Sequence, residues 1–585
     1  MKKKSILSLL LVLAMVLALM AGCGTTADTS EVPASEPEPA ASESVQDAVP
    51  PAEEAPTAEA DASAAEAPES EPAAEYGECA ISFPLDETET LTYWHDVDSR
   101  ILTYIPTGVI DDAPAFVAAE EATNVHIKHI GVGMDAESDQ FNLMVASGDY
   151  TDLIKKATDL YSKGSIAAMD DEVIIDLAPY LEEYAPDFLR ALDLVDGYVN
   201  EVTTDDGRVP TFVTVYAAGM DPSQALWIRK DLLDGIGMGI PQTYDEFTAV
   251  LTAFKDSGVK EPLYLNPTGV LPKNVLAAGY NVAVDMNFGA GAAATEPFYQ
   301  VDGTVKFGAL EDGWLSYIEM VRSWYADGLI SSDFVSNTGN AMDAGFMSTV
   351  TTGQTAVFCA PTMLIEYLVA TGKDYDPNFE VVAIADMVQN VGDMTHFGLA
   401  NATAKTEGLS ISTTCENPEL AAAWCNYWYT ETGRMLATWG QEGVTYEYDA
   451  NGDPQWTELI TNNPDGMSKM DASSLYTMSV GSINFMPTDT TGMAQYAIDA
   501  LTTWMEHNDG AYDIPVTATF TSEESESYND YMGEISTHYN ETVLRFITGE
   551  KELSEYNTFV EELHNMGIDE CIALKQSMLD RYNNR

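Results

Sequence analysis

The stretch Ala225-Leu226-Trp227-Ile228-Arg229-Lys230-Asp231-Leu232-Leu233-Asp234-Gly235-Ile236-Gly237 decides the fold class. Its first four residues read as an apolar strand. Residues 230–236 change to helical spacing, and Gly237 ends the turn. Shortly afterwards Thr243-Tyr244-Asp245-Glu246 opens a helix predicted over 243–257. The Thr243 hydroxyl can accept from a backbone N–H there while Glu246 reaches back, a capping box. A buried strand followed directly by helices is the unit of layered α/β folds.

Working outward, the unit recurs. Upstream, 91–94 reads as a strand, 111–123 as a helix closed by a turn at Asn124, and 125–132 as an alternating strand. Residues 138–147 are helical up to Gly148, and 152–154 form a short buried strand. Residues 173–192 are helical turns interrupted at Pro179 and Pro186. Downstream, 298–307 folds back around Asp302-Gly303 as a hairpin. Residues 314–327 are helical, with Trp324 in the core. Residues 355–359 and 380–385 are strands, and 528–585 is mostly helical with a break at 546–549. Strands alternating with helices of ten or more residues imply parallel sheets with helices on their faces. The expectation is two α/β lobes, each a sheet flanked by helices, with extra C-terminal helices.

The first eighty residues obey different rules. Lys2, Lys3 and Lys4 precede an apolar run from 6 to 20, then Ala21, Gly22 and Cys23. A cationic start, a short apolar segment and small residues form a secretory signal, and the run is shorter than the ~20 residues a spanning helix needs. Met20-Ala21-Gly22-Cys23 resembles the bacterial lipobox, with Met20 where Leu is usual. That resemblance implies a signal peptide over 1–22 and a diacylated Cys23 as the mature N-terminus; two acyl chains suffice for stable anchoring. Residues 23–84 are rich in Ala, Pro, Glu, Ser and Thr and lack any Lys or Arg. Such a segment is expected to be an extended, disordered spacer.

The formal charge is −68, with 94 acidic against 26 basic residues. Nucleic acid and anionic lipid are disfavoured as partners, because phosphate binding needs a cationic surface. A neutral ligand fits best. Five cysteines remain after Cys23, in no zinc spacing, and Cys415 and Cys425 pair only if the fold brings them together. No catalytic Ser motif or metal-ligand cluster is present, and no cofactor is called for. Asp449-Ala450-Asn451-Gly452-Asp453 has the start of a calcium loop without the Glu at its twelfth position, and reads as a hairpin turn.

Several strings, in order, carry a resemblance to bacterial extracellular solute-binding proteins of family 1, in the LplA-like oligosaccharide-binding group. They are Ser147-Gly148-Asp149-Tyr150-Thr151-Asp152-Leu153-Ile154, the 227–247 segment quoted above, Asn417-Pro418-Glu419 followed by Gly433, Gly440, Glu442-Gly443 and Tyr446, and Arg545-Phe546-Ile547-Thr548-Gly549 with Gly567-Ile568-Asp569. Leu232 stands where an aromatic is common. The resemblance implies the type II periplasmic-binding-protein-like fold, with a first lobe over 85–219 plus 381–445 and a second over 220–380 plus 446–585. Crossings are expected near 219–225, 380–386 and Tyr446. It further implies a monomeric receptor, anchored on the extracellular face of a cell without an outer membrane. That receptor would close over an oligosaccharide by hinge motion and deliver it to the permease subunits of an ABC importer. A sensor module for a membrane kinase shares the fold and anchor. A surface glycoside hydrolase is the third reading, needing a carboxylate pair that 94 acidic residues make uninformative.

Candidate ligand residues lie at strand ends and crossings, where solutes collect in α/β sheets. They are Trp94, His95 and Asp96 after the first strand, Asp159 and Tyr161 after the third, and Asp221 and Gln224 at the first crossing. Thr362 and Met363 follow the 355–359 strand, and Trp439 and Glu442 lie near the third crossing. Trp424 and Trp428, four apart on one helix, read as core. His396 and His507 read as lone surface histidines.

Overall fold

A computed structural model describes residues 76–585, except 134–135, 196–197, 217–223, 266–274, 285–296, 331–333, 337–343, 398–407, 451, 485–493, 506–507 and 516. Cys23, Asp221 and His507 lie outside the described residues, as do the side chains of Gln224 and Met363.

The chain lays down β1 (Glu89–Val97), β2 (Val125–Gly133), β3 (Leu153–Lys155) and the short β4 (Val215–Tyr216) in a first lobe. It crosses to a second lobe with β5 (Gln224–Arg229), β6 (Glu261–Leu263), the hairpin β7 (Phe298–Val301) and β8 (Thr304–Phe307), β9 (Thr355–Pro361) and β10 (Val381–Ala383). It returns with β11 (Leu409–Ile411), the hairpin β12 (Tyr446–Tyr448) and β13 (Pro454–Trp456), and β14 (Ile483–Asn484). The helices Gln495–Met505, Ser522–Thr548, Tyr556–Met566 and Ile568–Tyr582 complete the second lobe.

The first sheet has the order β11-β3-β1-β2, with β1 parallel to β2 and β3, and β11 antiparallel. The second has the order β10-β5-β9-β6; only β6 and β9 run parallel. The expected all-parallel arrangement therefore gives way to mixed sheets. The cause is topological: β5 enters from the other lobe and runs away from the junction, while β9 and β10 run back towards it.

Each lobe has its own core. Trp227, Phe247, Trp314, Trp324 and Trp504 centre the second, and Tyr93, Phe188, Phe212, Trp424 and Trp428 the first. A smaller cluster, with Trp94, Phe141 and Ile154, covers the opposite face of the first sheet. The capping box at Thr243 and Glu246 is formed. The helix Glu137–Ser147 ends on Gly148 at φ 69°, a left-handed turn that suits glycine.

Two expected crossings fall elsewhere. Val381–Ala383 pairs with β5, so the return to the first sheet comes only at Leu409. Residues beyond Tyr446 stay with the first lobe: Met478, Val480 and Ile483 pack in its core, and Ile483–Asn484 pairs with Val215–Tyr216. At the end of the β12–β13 hairpin Asp449 N–H donates to Asp453 O at 2.9 Å. The five described cysteines are free thiols.

Candidate functional site

The carboxyl ends of β1 and β3 bring Asp96 against two cations. Lys155 Nζ lies 2.9 Å from Asp96 Oδ1 and Lys156 Nζ 3.2 Å from Oδ2. Lys156 also reaches Glu137 at 3.1 Å. Burial alone would raise the Asp96 pKa, but the two ammonium groups outweigh it and hold the carboxyl down at about 2. Lys156 has φ 58°, unusual for a side chain of this size, and its N–H donates to Gly408 O at 2.9 Å. Lys155 also borders a small cavity of about 70 Å³ with Tyr216, Gly408 and Gly481. These residues flank the points where the chain leaves and re-enters the first lobe. The charged cluster thus sits at the base of the interlobe junction.

Asp159 lines a second cavity, of about 180 Å³, built from both lobes. The first lobe supplies Asp159, Glu201, Thr204 and Thr211; the segment leading into Ser522–Thr548 supplies Thr517 and Thr519. Glu201 accepts from Thr517 Oγ1 and from Tyr582 OH. Among the described residues the hydroxyls of Thr211 and Thr519 find no hydrogen-bond partner, and both are buried. Such groups are rare in folded proteins and mark places where a bound molecule can complete the bonding. Beside the cavity, Arg581 and Arg585 both pair with Asp205 across the lobes, at 2.8 and 2.7 Å.

Other expected residues are placed differently. Side chains alternate along β1, and both faces of its sheet are covered. Trp94, 3 % exposed, points into the core against Phe141. His95 is buried on the opposite face, stacked on Tyr93 and hydrogen-bonded to His129 at 2.9 Å. Trp439, 1 % exposed, packs on Trp456 with ring centroids 4.4 Å apart. Each of these three is enclosed by packing, which corrects the expectation that it faces the cleft. Tyr161 donates to Asp171 Oδ2 at 2.5 Å, Glu442 is exposed beside the β12–β13 hairpin, and Thr362 is half-buried at the start of the helix Thr362–Tyr375. His396 is not alone: its Nδ1 lies 3.0 Å from Asp509, and its ring packs on Tyr512.

Lys155, Lys156, Glu201, Thr211, Thr517 and Thr519 escaped the sequence reading. A lysine pair directly after a buried strand, in so acidic a chain, was an available signal for the first two. The hydroxyls carried none. Among the described residues no group of three His, Cys, Asp or Glu side chains is placed to hold a metal ion.

The family model described as bacterial extracellular solute-binding protein matches residues 107–435. The fructooligosaccharide ABC transporter substrate-binding protein FusA of Streptococcus pneumoniae serotype 4 is 22 % identical over 535 residues, which is 86 % of this chain and 92 % of FusA. Lipoprotein LipO of Bacillus subtilis is 29 % identical over 153 residues, 26 % of this chain and 28 % of LipO. Among solved structures, the alginate-binding protein AlgQ2 superposes with a TM-score of 0.67 at 18 % identity, over 86 % of this chain and 100 % of AlgQ2. A solute-binding protein associated with human-milk-oligosaccharide ABC transport in Bifidobacterium longum infantis gives 0.66 at 17 %, over 85 % and 99 %. At such identities the structural likeness is one of fold.

Proposed function

The chain belongs to the bacterial extracellular solute-binding proteins, and from that premise we propose that it is the lipid-anchored capture subunit of an ABC importer, taking up a neutral oligosaccharide. The observation that carries the reading is the cavity lined by both lobes, rich in hydroxyls and carboxylates, where Thr211 and Thr519 keep unused hydrogen-bonding capacity. Sugar hydroxyls both donate and accept, so they suit such a lining. At about 180 Å³ the cavity is the size of a monosaccharide-scale subsite rather than of a whole chain, so the remainder of the solute would lie along the junction. The strong negative charge works against an anionic solute. FusA is named for fructooligosaccharide, which makes that class the first to test. The anchor rests on Cys23 and its preceding residues, with LipO as a lipoprotein relative over part of the chain. The role is one of binding, with delivery to permease subunits as its consequence.

The test is a thermal-shift screen of neutral oligosaccharides, followed by calorimetry on any hit. A ligand that binds only the folded state raises the melting temperature by mass action. A hit whose reducing ends accumulate on incubation would overturn the binding role in favour of hydrolysis. A screen in which only charged solutes stabilise the protein would overturn the neutral-solute assignment.

A further inference from the structure

The second lobe holds a larger, partly open cavity of about 540 Å³, whose described lining residues all belong to that lobe. It lies between the edge strand β10, the loop that follows, residues 240–242, and the helix Gln495–Met505. Its volume is that of a small-molecule site. Pro241, Val382 and Val388 supply apolar wall, and Asp386, Asp393 and Asp499 supply charge. Among the described residues that line it none is Lys, Arg or His.

Asp386 is the unusual member. It is only 6 % exposed, and its Oδ2 accepts from the Thr395 hydroxyl at 3.0 Å. Among the described residues it has no ion pair. Burial raises its pKa from 3.8 to about 7, with the Thr395 bond pulling modestly the other way. A buried carboxyl on a cavity wall, without a cation, is costly to ionise unless a counter-charge arrives. Asp393 and Asp499 stand exposed at the same cavity and add negative potential. Anions are therefore repelled. The apolar wall gives a hydrophilic sugar little to stack on apart from Tyr496.

We propose that this cavity binds a small amphiphilic organic cation, an alkyl or arylalkyl ammonium ion, with its charge on Asp386 and its hydrocarbon on the Pro241, Val382 and Val388 wall. The site is separate from the interlobe cavity, and the proposal does not rest on the sugar reading. Binding releases the Asp386 proton wherever that carboxyl is protonated beforehand. Affinity accordingly rises about tenfold between about pH 6 and about pH 8. The other titratable groups around Asp386 are Asp393 and Asp499 at the cavity and the tyrosines Tyr244 and Tyr496, both of which burial pushes further above that range; the expected dependence is that of Asp386.

The experiment is calorimetry of the folded protein with phenethylammonium and with its neutral counterpart, phenethyl alcohol, near pH 6 and pH 8. The ammonium ion is expected to bind at least tenfold more tightly than the alcohol, and more tightly at the higher pH. Asp386→Asn, which mimics the protonated carboxyl, is expected to lose about tenfold or more. Asp499→Lys places a cation at an exposed position of the cavity, leaves the packing intact, and is expected to show a similar loss. Absence of binding at millimolar concentration, equal binding of alcohol and ammonium, or unchanged affinity in Asp499→Lys overturns the proposal. Oligosaccharide binding measured in the same samples reports separately on the interlobe site.

Discussion

Lowering the pH from about 7 to about 5 perturbs two histidines buried in the first lobe. His95 Nε2 lies 2.9 Å from His129 Nδ1, and the rings pack among Tyr93 and Phe116. Burial lowers the pKa of His95 from 6.5 to about 4, and burial together with the neighbouring His95 and His126 lowers that of His129 to about 3. The unfolded chain takes up protons below 6.5 while the folded chain refuses them until about 4. A folded-state pKa below the unfolded one means that stability is complete above pH 6.5 and is lost as pH falls towards 4. By linkage the step to about pH 5 costs about 2 kcal/mol for each histidine, so about 4 kcal/mol for the pair. Asp386 acts with the opposite sign. Its raised pKa lets the folded state hold a proton that the unfolded chain gives up above 3.8, so its contribution is lost as pH rises through 7 and the same acid step restores about 2 kcal/mol. Urea unfolding followed by tryptophan fluorescence at the two pH values separates the effects. Wild type should lose about 2 kcal/mol, and Asp386→Asn about 4 kcal/mol. Adding His95→Gln and His129→Gln to Asp386→Asn should remove most of that loss. An equal loss in Asp386→Asn with and without the histidines would refute the assignment.

Three further outcomes follow from packing and from the interlobe cavity. Trp94→Ala should cost about 3–5 kcal/mol in denaturation, because it empties a core position, while calorimetry finds solute affinity of the remaining folded protein unchanged. Arg229 is 2 % exposed, pairs with Asp231 at 2.7 Å and lies 3.9 Å over the Phe379 ring. Arg229→Ala strands a nearly buried carboxylate and should cost about 3–5 kcal/mol in the same assay. Thr211→Val deletes a buried, unpartnered hydroxyl, so stability should hold or rise while oligosaccharide affinity falls about tenfold by calorimetry; equal affinity would exclude that hydroxyl from the site.

Local elements were legible because their causes are local. The 225–228 strand, the Thr243 capping box and the hairpin at Asp302-Gly303, where both residues have positive φ, depend on neighbours a few positions away. Lobe membership was less legible. Nothing in the apolar run near 381 states which sheet edge it joins. Its pairing with β5 is decided by residues about 150 positions earlier. Similarly, Tyr446 resembles a crossing in its string, but Trp439, Tyr446 and Trp456 form a satellite cluster of their own and keep the chain in the first lobe.

The site divides along the same line. In a sheet covered on both faces, neither parity of an interior strand position reaches solvent, so Trp94 and His95 were buried whichever way they pointed. Only residues at and beyond the strand ends stay available, which is why Asp96 and Asp159 lie at the junction while the aromatic beside them does not. The cavity that Asp159 lines brings Thr204 and Thr211 together with Thr517 and Thr519, some three hundred residues further along the chain. Threonine is too common, and its spacing here too irregular, to announce such a meeting. The two-lobed fold is therefore readable from sequence, and the residues that line the junction emerge only once both lobes are in place.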